Sequence, residues 1–326
     1  MSEFHGSNWL ASAHAQTIYP ALLGRSRFPR PTYRRERWST PDDDFIDVDW
    51  LLNNQHIGRA KPLVVMFHGL EGSSQSHYAR ALMGAVIQLG WRGAVPHFRG
   101  CSGEPNQAPR FYHSGDSTEI AWILKKFRAE HAGPLFVVGI SLGGNALVRF
   151  LGEEGERANL VDAAAIVSAP LDLAAGGKAL SQGFNMFYTR MFLRTLKRKC
   201  LHKLQHFPDL FDRQIMLQSR DLYEFDNVVT APLHGYRSTD DYWHRASGKH
   251  VLKGITQPTL IINARNDPFL PAQVLPRQAD VSAAVTLEQP EQGGHVGFLS
   301  GSWPGSIDWL PVRVLKFFKA QGREHG

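Results

Sequence analysis

Two rhythms of apolar and polar positions run along the chain. Short, nearly unbroken apolar runs occur at 62–67 (PLVVMF), 93–97, 135–138, 163–168, 258–263 and 284–288, and each predicts a buried strand. Between them, apolar residues recur at helical spacing. Segment 75–89 sets Ala79, Leu82, Val86 and Leu89 on one side, and 145–151 sets Leu147, Val148 and Leu151 on one stripe. Asp116 followed by Glu119 has the spacing of a capping box and predicts a helix over 117–130. A further helix is expected over 308–320. Strands separated by helices predict an α/β fold, a mostly parallel twisted sheet with helices on both faces. Three segments depart from this rhythm. Residues 1–40, rich in Arg, Pro and aromatics, are expected as an irregular arm wrapping the outside. Segment 38–52 predicts two short strands joined by the turn Pro41-Asp42-Asp43-Asp44, with Asp47-Val48-Asp49-Trp50 alternating as on a solvent-facing strand. Segment 171–250 reads as mostly helical and is expected as a cap inserted over one end of the sheet, leaving 41–170 and 251–326 as the core.

Composition narrows the class. At 326 residues, 43% hydrophobic and 20% charged, the chain is long enough for one large core. No run approaches 18 apolar residues, and the N-terminal stretch, with its early Glu3, lacks the basic and apolar regions of a secretory leader. Two cysteines, Cys101 and Cys200, make no disulfide framework, and the expected location is cytoplasmic. A net charge of +6 without a zinc-finger spacing, an RNP-like segment or a basic tail argues against nucleic acid. The acidic run 42–49 lacks the D-x-D-x-D-G loop of a calcium site, so no metal is expected there.

The candidate chemistry sits in FVVGISLGGNALVRF, 136–150. A strand that turns into a helix within two or three residues brings its arms together, and Gly139 and Gly143 relieve the clash on either side of Ser141. This G-x-S-x-G elbow lifts a serine Oγ to the top of the sheet, and the helix start aims its dipole and free N–H groups at the same spot. A neutral serine needs a base and a group that orients the base. His295, in EQGGHVGF after the last strand, is the candidate base; Asp267, in TLIINARNDPF after the preceding strand, is the candidate acid, with Asp172 next in line. The order Ser141, Asp267, His295 is that of nucleophile, acid and base in α/β hydrolases, and all three converge where open α/β sheets bind ligands. Oxyanion donors are expected from the N–H of Leu142 and from that of Leu70 in VVMFHGLEGSS. His68 has no second histidine at ligand spacing and is expected to hold that loop by hydrogen bonds. Arg99 in HFRGCSGEPN reads either as an anion binder or as a loop-bracing ion pair, and Cys101 as a small buried residue.

Several long stretches together resemble the YheT-like α/β hydrolases, bacterial relatives of eukaryotic abhydrolase-domain lipases and phospholipases. They include AHAQTIYP, PDDDFIDVDW, FHGLEGSSQSHYARAL, GWRGAVPHFRGCSGEPN, YHSGD, GISLGGNAL, VSAPLDL, EFDNVVTAPLHGY, PTLIINARNDPF and GGHVGF, and span about residues 14 to 300. The resemblance implies the α/β-hydrolase fold and a carboxylic ester hydrolase acting on short-chain esters or monoacylglycerols. It carries the family's catalytic residues onto Ser141, Asp267 and His295. Two positions depart from the pattern. Asp43 stands at the usual turn glycine, and Asn266-Asp267 replaces an acidic pair, which leaves Asp267 as the one carboxylate of its loop.

The expected reaction is ester hydrolysis through an acyl-enzyme on Ser141, with no metal or organic cofactor. The same machinery also suits an acyltransferase or thioesterase, and a lipid-binding protein that kept the fold is the reading from another class. The expected partner is a small ester or lipid substrate; helix 186–206 reads first as a cap with its apolar face over the acyl pocket, and the sharper reading adds peripheral contact of its basic face with an anionic membrane surface. There Arg190, Arg194, Lys197 and Arg198 share one face, while Phe192, Leu193, Leu196, Cys200 and Leu204 form an apolar stripe.

Overall fold

The computed structural model describes residues 4–53 and 57–322; Glu3, used above against a leader, lies outside them. Among the described residues, eight strands form one sheet: β1 (Tyr33–Ser39), β2 (Phe45–Leu51), β3 (Leu63–Phe67), β4 (Arg92–Pro96), β5 (Leu135–Ile140), β6 (Ala163–Val167), β7 (Thr259–Ile262) and β8 (Val285–Glu288). Their spatial order is β1-β2-β4-β3-β5-β6-β7-β8. The β1–β2 and β2–β4 pairs are antiparallel, and β4 through β8 run parallel. The expected α/β-hydrolase architecture is the one observed.

The unbroken apolar runs follow from burial on both faces. Every residue of β3, β5 and β6 is buried. On one face Val65, Phe67, Val137 and Ile166 pack against α3 (Ser117–Glu130) and α4 (Leu142–Glu154) through Ile123, Phe127, Leu147 and Phe150. On the other, Met66, Val138 and Val167 meet α2 (His77–Gln88) and the last helix, Trp309–Gln321, through Met83, Val86, Val314 and Phe318. Glu119 completes only half of the expected capping box. Asp116 accepts from the Glu119 N–H, but the Glu119 carboxylate turns away to Arg99 at 2.6 Å.

Two expectations about the first 52 residues need correction. Residues 13–23 form a helix, α1 (Ala13–Leu23), although Pro20 lies inside it, and 33–39 form an edge strand, so the segment is not irregular throughout. Asp47 and Asp49 do not face solvent. Arginines of neighbouring β1 reach across, Arg37 to Asp47 and Arg35 to Asp49, each at 2.8 Å, and the carboxylates are buried beneath them. Burial opposes their ionisation. Hydrogen bonds outweigh it, from Arg37 and Ser102 at Asp47 and from His97, Arg35 and Ser74 at Asp49, and hold both carboxyls below the usual range. The turn at 41–44 is as expected, with Asp43 at φ 56° in the position a glycine favours.

Between β6 and β7 lie α5 (Leu173–Leu180), α6 (Met186–His206), α7 (Arg213–Gln218), α8 (Leu222–Val228), α9 (Thr230–Leu233) and α10 (Thr239–Ala246). Leu193, Cys200 and Leu204 of α6 pack on Met216, Phe225 and Val229, a small core of their own. Asn145 on α4 ties this layer to the sheet. Its amide donates to the Ser114 and Ala246 carbonyls and accepts from the Gly248 N–H, each at 2.8 Å. Among the described residues no helix is long and apolar enough to cross a membrane.

Candidate active site

Ser141 occupies the junction of β5 and α4 at φ 51°, ψ −119°, a backbone region that side-chain-bearing residues rarely adopt. The flanking glycines are required by contact. A methyl on Gly139 would lie 2.6 Å from Gly144 Cα, and one on Gly143 would lie 2.5 Å from the His68 carbonyl oxygen and 2.7 Å from that of Phe67. Gly143 therefore does more than relax the turn. It lets α4 begin directly against the end of β3, the strand that leads into Leu70.

The three side chains chosen from the sequence come together. His295 Nε2 lies 3.0 Å from Ser141 Oγ, and His295 Nδ1 lies 2.8 Å from Asp267 Oδ2. Asp267 is fully enclosed, and its Oδ1 accepts the Phe269 N–H at 2.8 Å, so both carboxylate oxygens are engaged. A carboxylate at Nδ1 fixes the tautomer that leaves Nε2 free to take a proton from Ser141. Asp172, the second acid considered, does not reach this site; it caps α5 and pairs with Lys249.

The loop holding His295 is built by residues the sequence reading passed over. Gln16 Oε1 accepts from the Asn266 amide and the Gly293 N–H, and Thr17 Oγ1 accepts from the His295 N–H. Ser168 Oγ accepts from the Val296 N–H, and Asn266 Oδ1 from the Gly294 N–H. α1 thus pins the base and the acid loop together. The stretch AHAQTIYP carried this signal only as part of a resemblance, since nothing in its periodicity says where Gln16 points.

The opposite side of Ser141 is the turn after β3. His68 is buried, donates from Nδ1 to the Gly69 carbonyl at 2.8 Å and accepts the Phe98 N–H at Nε2, the bracing role expected of it. Burial pushes its imidazole down to about 3, which keeps it neutral. Tyr78 accepts the Gly69 N–H, and Tyr112 accepts the Glu71 N–H while donating to the Glu71 carboxylate. Among the described residues, the N–H groups of Leu70 and Leu142 donate to no other protein group. Both residues line the cavity beside Ser141. Arg99 is saturated by Asp42, Asp44 and Glu119, which makes it the loop brace rather than an anion binder. Cys101 is half-buried, and burial pushes its thiol up to about 11, so it is no competing nucleophile. Among the described residues no group of three or more His, Cys, Asp or Glu is arranged to hold a metal ion.

Ser141 opens into a cavity of about 660 Å³. Its walls are apolar and come from both layers: Tyr188, Phe192 and Leu196 of α6, Phe225 of α8, and Phe269 and Leu270 from the acid loop. The Phe269 ring also lies tilted against the His295 ring, with centroids 4.2 Å apart. Such a site suits an apolar group next to a serine.

The profile of the alpha/beta hydrolase fold family matches residues 62–302. The chain belongs to that family. It is 41% identical over 317 residues to the Escherichia coli (strain K12) protein named "Putative esterase YheT", covering 96% of this chain and 92% of the relative. It is 29% identical over 330 residues to mouse phospholipase ABHD3, covering 99% of this chain and 79% of the relative. Monoacylglycerol lipase of Saccharomyces cerevisiae (strain ATCC 204508 / S288c) matches at 27% over 295 residues, 88% and 63% of the two chains. Among solved structures, Est1E from Butyrivibrio proteoclasticus with ferulic acid superposes with a TM-score of 0.57 at 13% identity, covering 89% of this chain and 98% of Est1E. At that identity the likeness speaks for the fold alone. With esterases and lipases as its relatives and this fold as its frame, the hydrolase acts on esters.

Proposed function

We propose that this hydrolase cleaves carboxylic esters with an apolar acyl chain, short-chain esters or monoacylglycerols, through an acyl-enzyme on Ser141. The observation that carries the reading is the line from Asp267 through His295 to Ser141 Oγ at the wall of the apolar cavity. His295 accepts the Ser141 proton as Oγ attacks the carbonyl carbon, and Asp267 steadies the imidazolium. The oxyanion is received by the Leu70 and Leu142 N–H groups. His295 then protonates the departing alcohol, and water, activated by the same imidazole, releases the acid. Rates over p-nitrophenyl esters, monoacylglycerols, acyl thioesters and phospholipids, compared between wild type, Ser141→Ala and His295→Ala, test the reading. Each variant should lose nearly all turnover and the double variant little more. Ser141→Ala turnover within about tenfold of wild type contradicts the assignment. Thioesters as the best substrates, or transfer to added alcohols outrunning hydrolysis, would move the activity to a thioesterase or an acyltransferase.

The mouth of the cavity supports docking on an anionic membrane. Leu22, Phe184, Phe187 and Met191 line the cavity yet are 75%, 54%, 51% and 55% exposed. Arg190, Arg194 and Arg198 lie exposed on the same helix, and among the described residues none has an acidic partner. The basic face is narrower than its sequence suggests, because Lys197 donates to the Leu217 and Ser219 carbonyls. Three arginines at about 1 kcal/mol each would raise partitioning onto anionic lipid about 100-fold. Sedimentation with anionic vesicles should fall in Arg190/Arg194/Arg198→Gln and at high salt; equal pelleting of both proteins leaves α6 as a cap alone.

A further inference from the structure

The cavity beside Ser141 carries two charged side chains away from the triad, and only one of them is matched. Lys199, on α6, donates to Glu71 Oε1 at 2.6 Å, so its ammonium is neutralised in place. The cavity-lining imidazoles of His77 and His113 are pushed by burial down to about 4 and about 3, and stay uncharged. Asp226, on α8, has no such partner. Its Oδ1 accepts from the Thr230 hydroxyl at 2.6 Å and its Oδ2 from the Trp243 indole N–H at 2.8 Å, both neutral donors. Among the described residues no Lys, Arg or His pairs with it, and its charged neighbour Asp221 repels it. Burial and that repulsion push the carboxyl up to about 6, and both of its oxygens act as acceptors, the pattern of a carboxylate.

A carboxylate used only to staple α8 to α9 and α10 would be an expensive choice. A neutral side-chain oxygen accepts such bonds without placing an uncompensated charge in an apolar cavity. Each carboxylate oxygen also keeps acceptor capacity beyond its single bond. Phe225, Tyr242 and Trp243 line the cavity beside it, and the electron-rich faces of aromatic rings attract cations. We propose that Asp226, with the aromatic wall of Phe225, Tyr242 and Trp243, is a binding site for a cationic group, a protonated or quaternary amine carried by a substrate or ligand in the cavity. The site rests on the cavity described above and gives the hydrolase a preference for molecules that pair an apolar chain with a positive charge.

The test needs no turnover. Titration calorimetry with decyltrimethylammonium, decan-1-ol and decyl sulfate, each below micelle formation, compares cation, neutral donor and anion on one chain length. Since none of them is an ester, failure here is separate from failure of the acyl-enzyme reading. Wild type should bind the cation about tenfold or more tighter than the alcohol, with the sulfate weakest. Asp226→Asn should abolish that preference. Thr230→Val, which removes one bond to the carboxylate but keeps its charge, should lose stability and retain the preference. Equal binding of cation and alcohol by wild type, tightest binding of the sulfate, or a preference that survives Asp226→Asn would overturn the proposal. The wild-type comparison decides even if Asp226→Asn does not fold.

Discussion

Gly143→Ala puts the architecture of the elbow to a quantitative test. The added methyl would lie 2.5 Å from the His68 carbonyl oxygen and 2.7 Å from that of Phe67. Carbon and carbonyl oxygen rest about 3.3 Å apart or more, so the end of β3 and the start of α4 must separate by several tenths of an ångström. Neither neighbour is a flexible side chain that could swing away. Overpacking of this kind costs about 1–3 kcal/mol, read as a lowered urea midpoint with an unchanged slope. The functional loss should be larger than stability explains. The two pieces forced apart carry the N–H groups of Leu70 and Leu142, and displacing one oxyanion donor costs about 10²–10³ in kcat. The loss should fall on kcat more than on KM for a p-nitrophenyl ester, because the displaced N–H groups serve the oxyanion rather than the acyl chain. Gly144→Ala is the control, since its methyl would lie 2.9 Å from Ala169 Cβ and from the Gly139 carbonyl, away from β3. It should destabilise comparably and lose much less activity. Gly143→Ala with kcat within about threefold of wild type, or Gly144→Ala with an equal catalytic loss, would refute the reasoning.

Asp267→Asn should keep the fold and lower kcat by about 10⁴, because no second carboxylate reaches His295 Nδ1 among the described residues; a loss under about fivefold would remove Asp267 from the relay. Ser141→Gly should be more stable than Ser141→Ala by about 1 kcal/mol, or about 2 °C in Tm, since glycine relieves the positive-φ strain at some cost in chain entropy; equal stabilities would mean the elbow stores no strain. Acid should destabilise the fold through its buried imidazoles. His68 and His113 stay neutral when folded down to about 3, whereas the unfolded groups take up protons below their ordinary 6.5. The unfolded state therefore binds more protons in that window, and stability falls with falling pH by up to about 1.4 kcal/mol per unit and group. Unfolding free energies from urea titrations at pH 7 and pH 5 should differ less in His113→Asn than in wild type, by up to about 2 kcal/mol, and an unchanged pH slope would contradict the assignment.

The parts legible in the sequence were those set by local sterics and two-sided burial. β3, β5 and β6 read as strands because each of their residues is buried, and the elbow read as a turn because Gly139 and Gly143 have no room for a side chain. Asp267 and His295 were legible from their places just after the last two strands, in the order nucleophile, acid, base, and from the resemblance that carries the same roles onto them. What escaped depends on partners far away in the chain. The alternation at Asp47 and Asp49 is the same whether water or an arginine from β1 covers the carboxylate, so their burial was invisible. α1 carries Pro20 and a weak apolar stripe, and its use is tertiary, with Gln16 bonded to residues 250 and 277 positions away. Asp226 stood in the sequence only inside the stretch EFDNVVTAPLHGY, with no role of its own; the fold shows that it and Lys199 both line the cavity and that, among the described residues, just Lys199 is ion-paired.

The central claim is that Ser141 Oγ forms the covalent bond to the acyl group. Intact-mass spectrometry after treatment with a fluorophosphonate, followed by peptide mapping, reads this directly. One adduct per chain, located on the peptide bearing Ser141, absent from Ser141→Ala and strongly slowed in His295→Ala, is the expected result. An unlabelled wild-type protein, or an adduct that persists in Ser141→Ala, would contradict it.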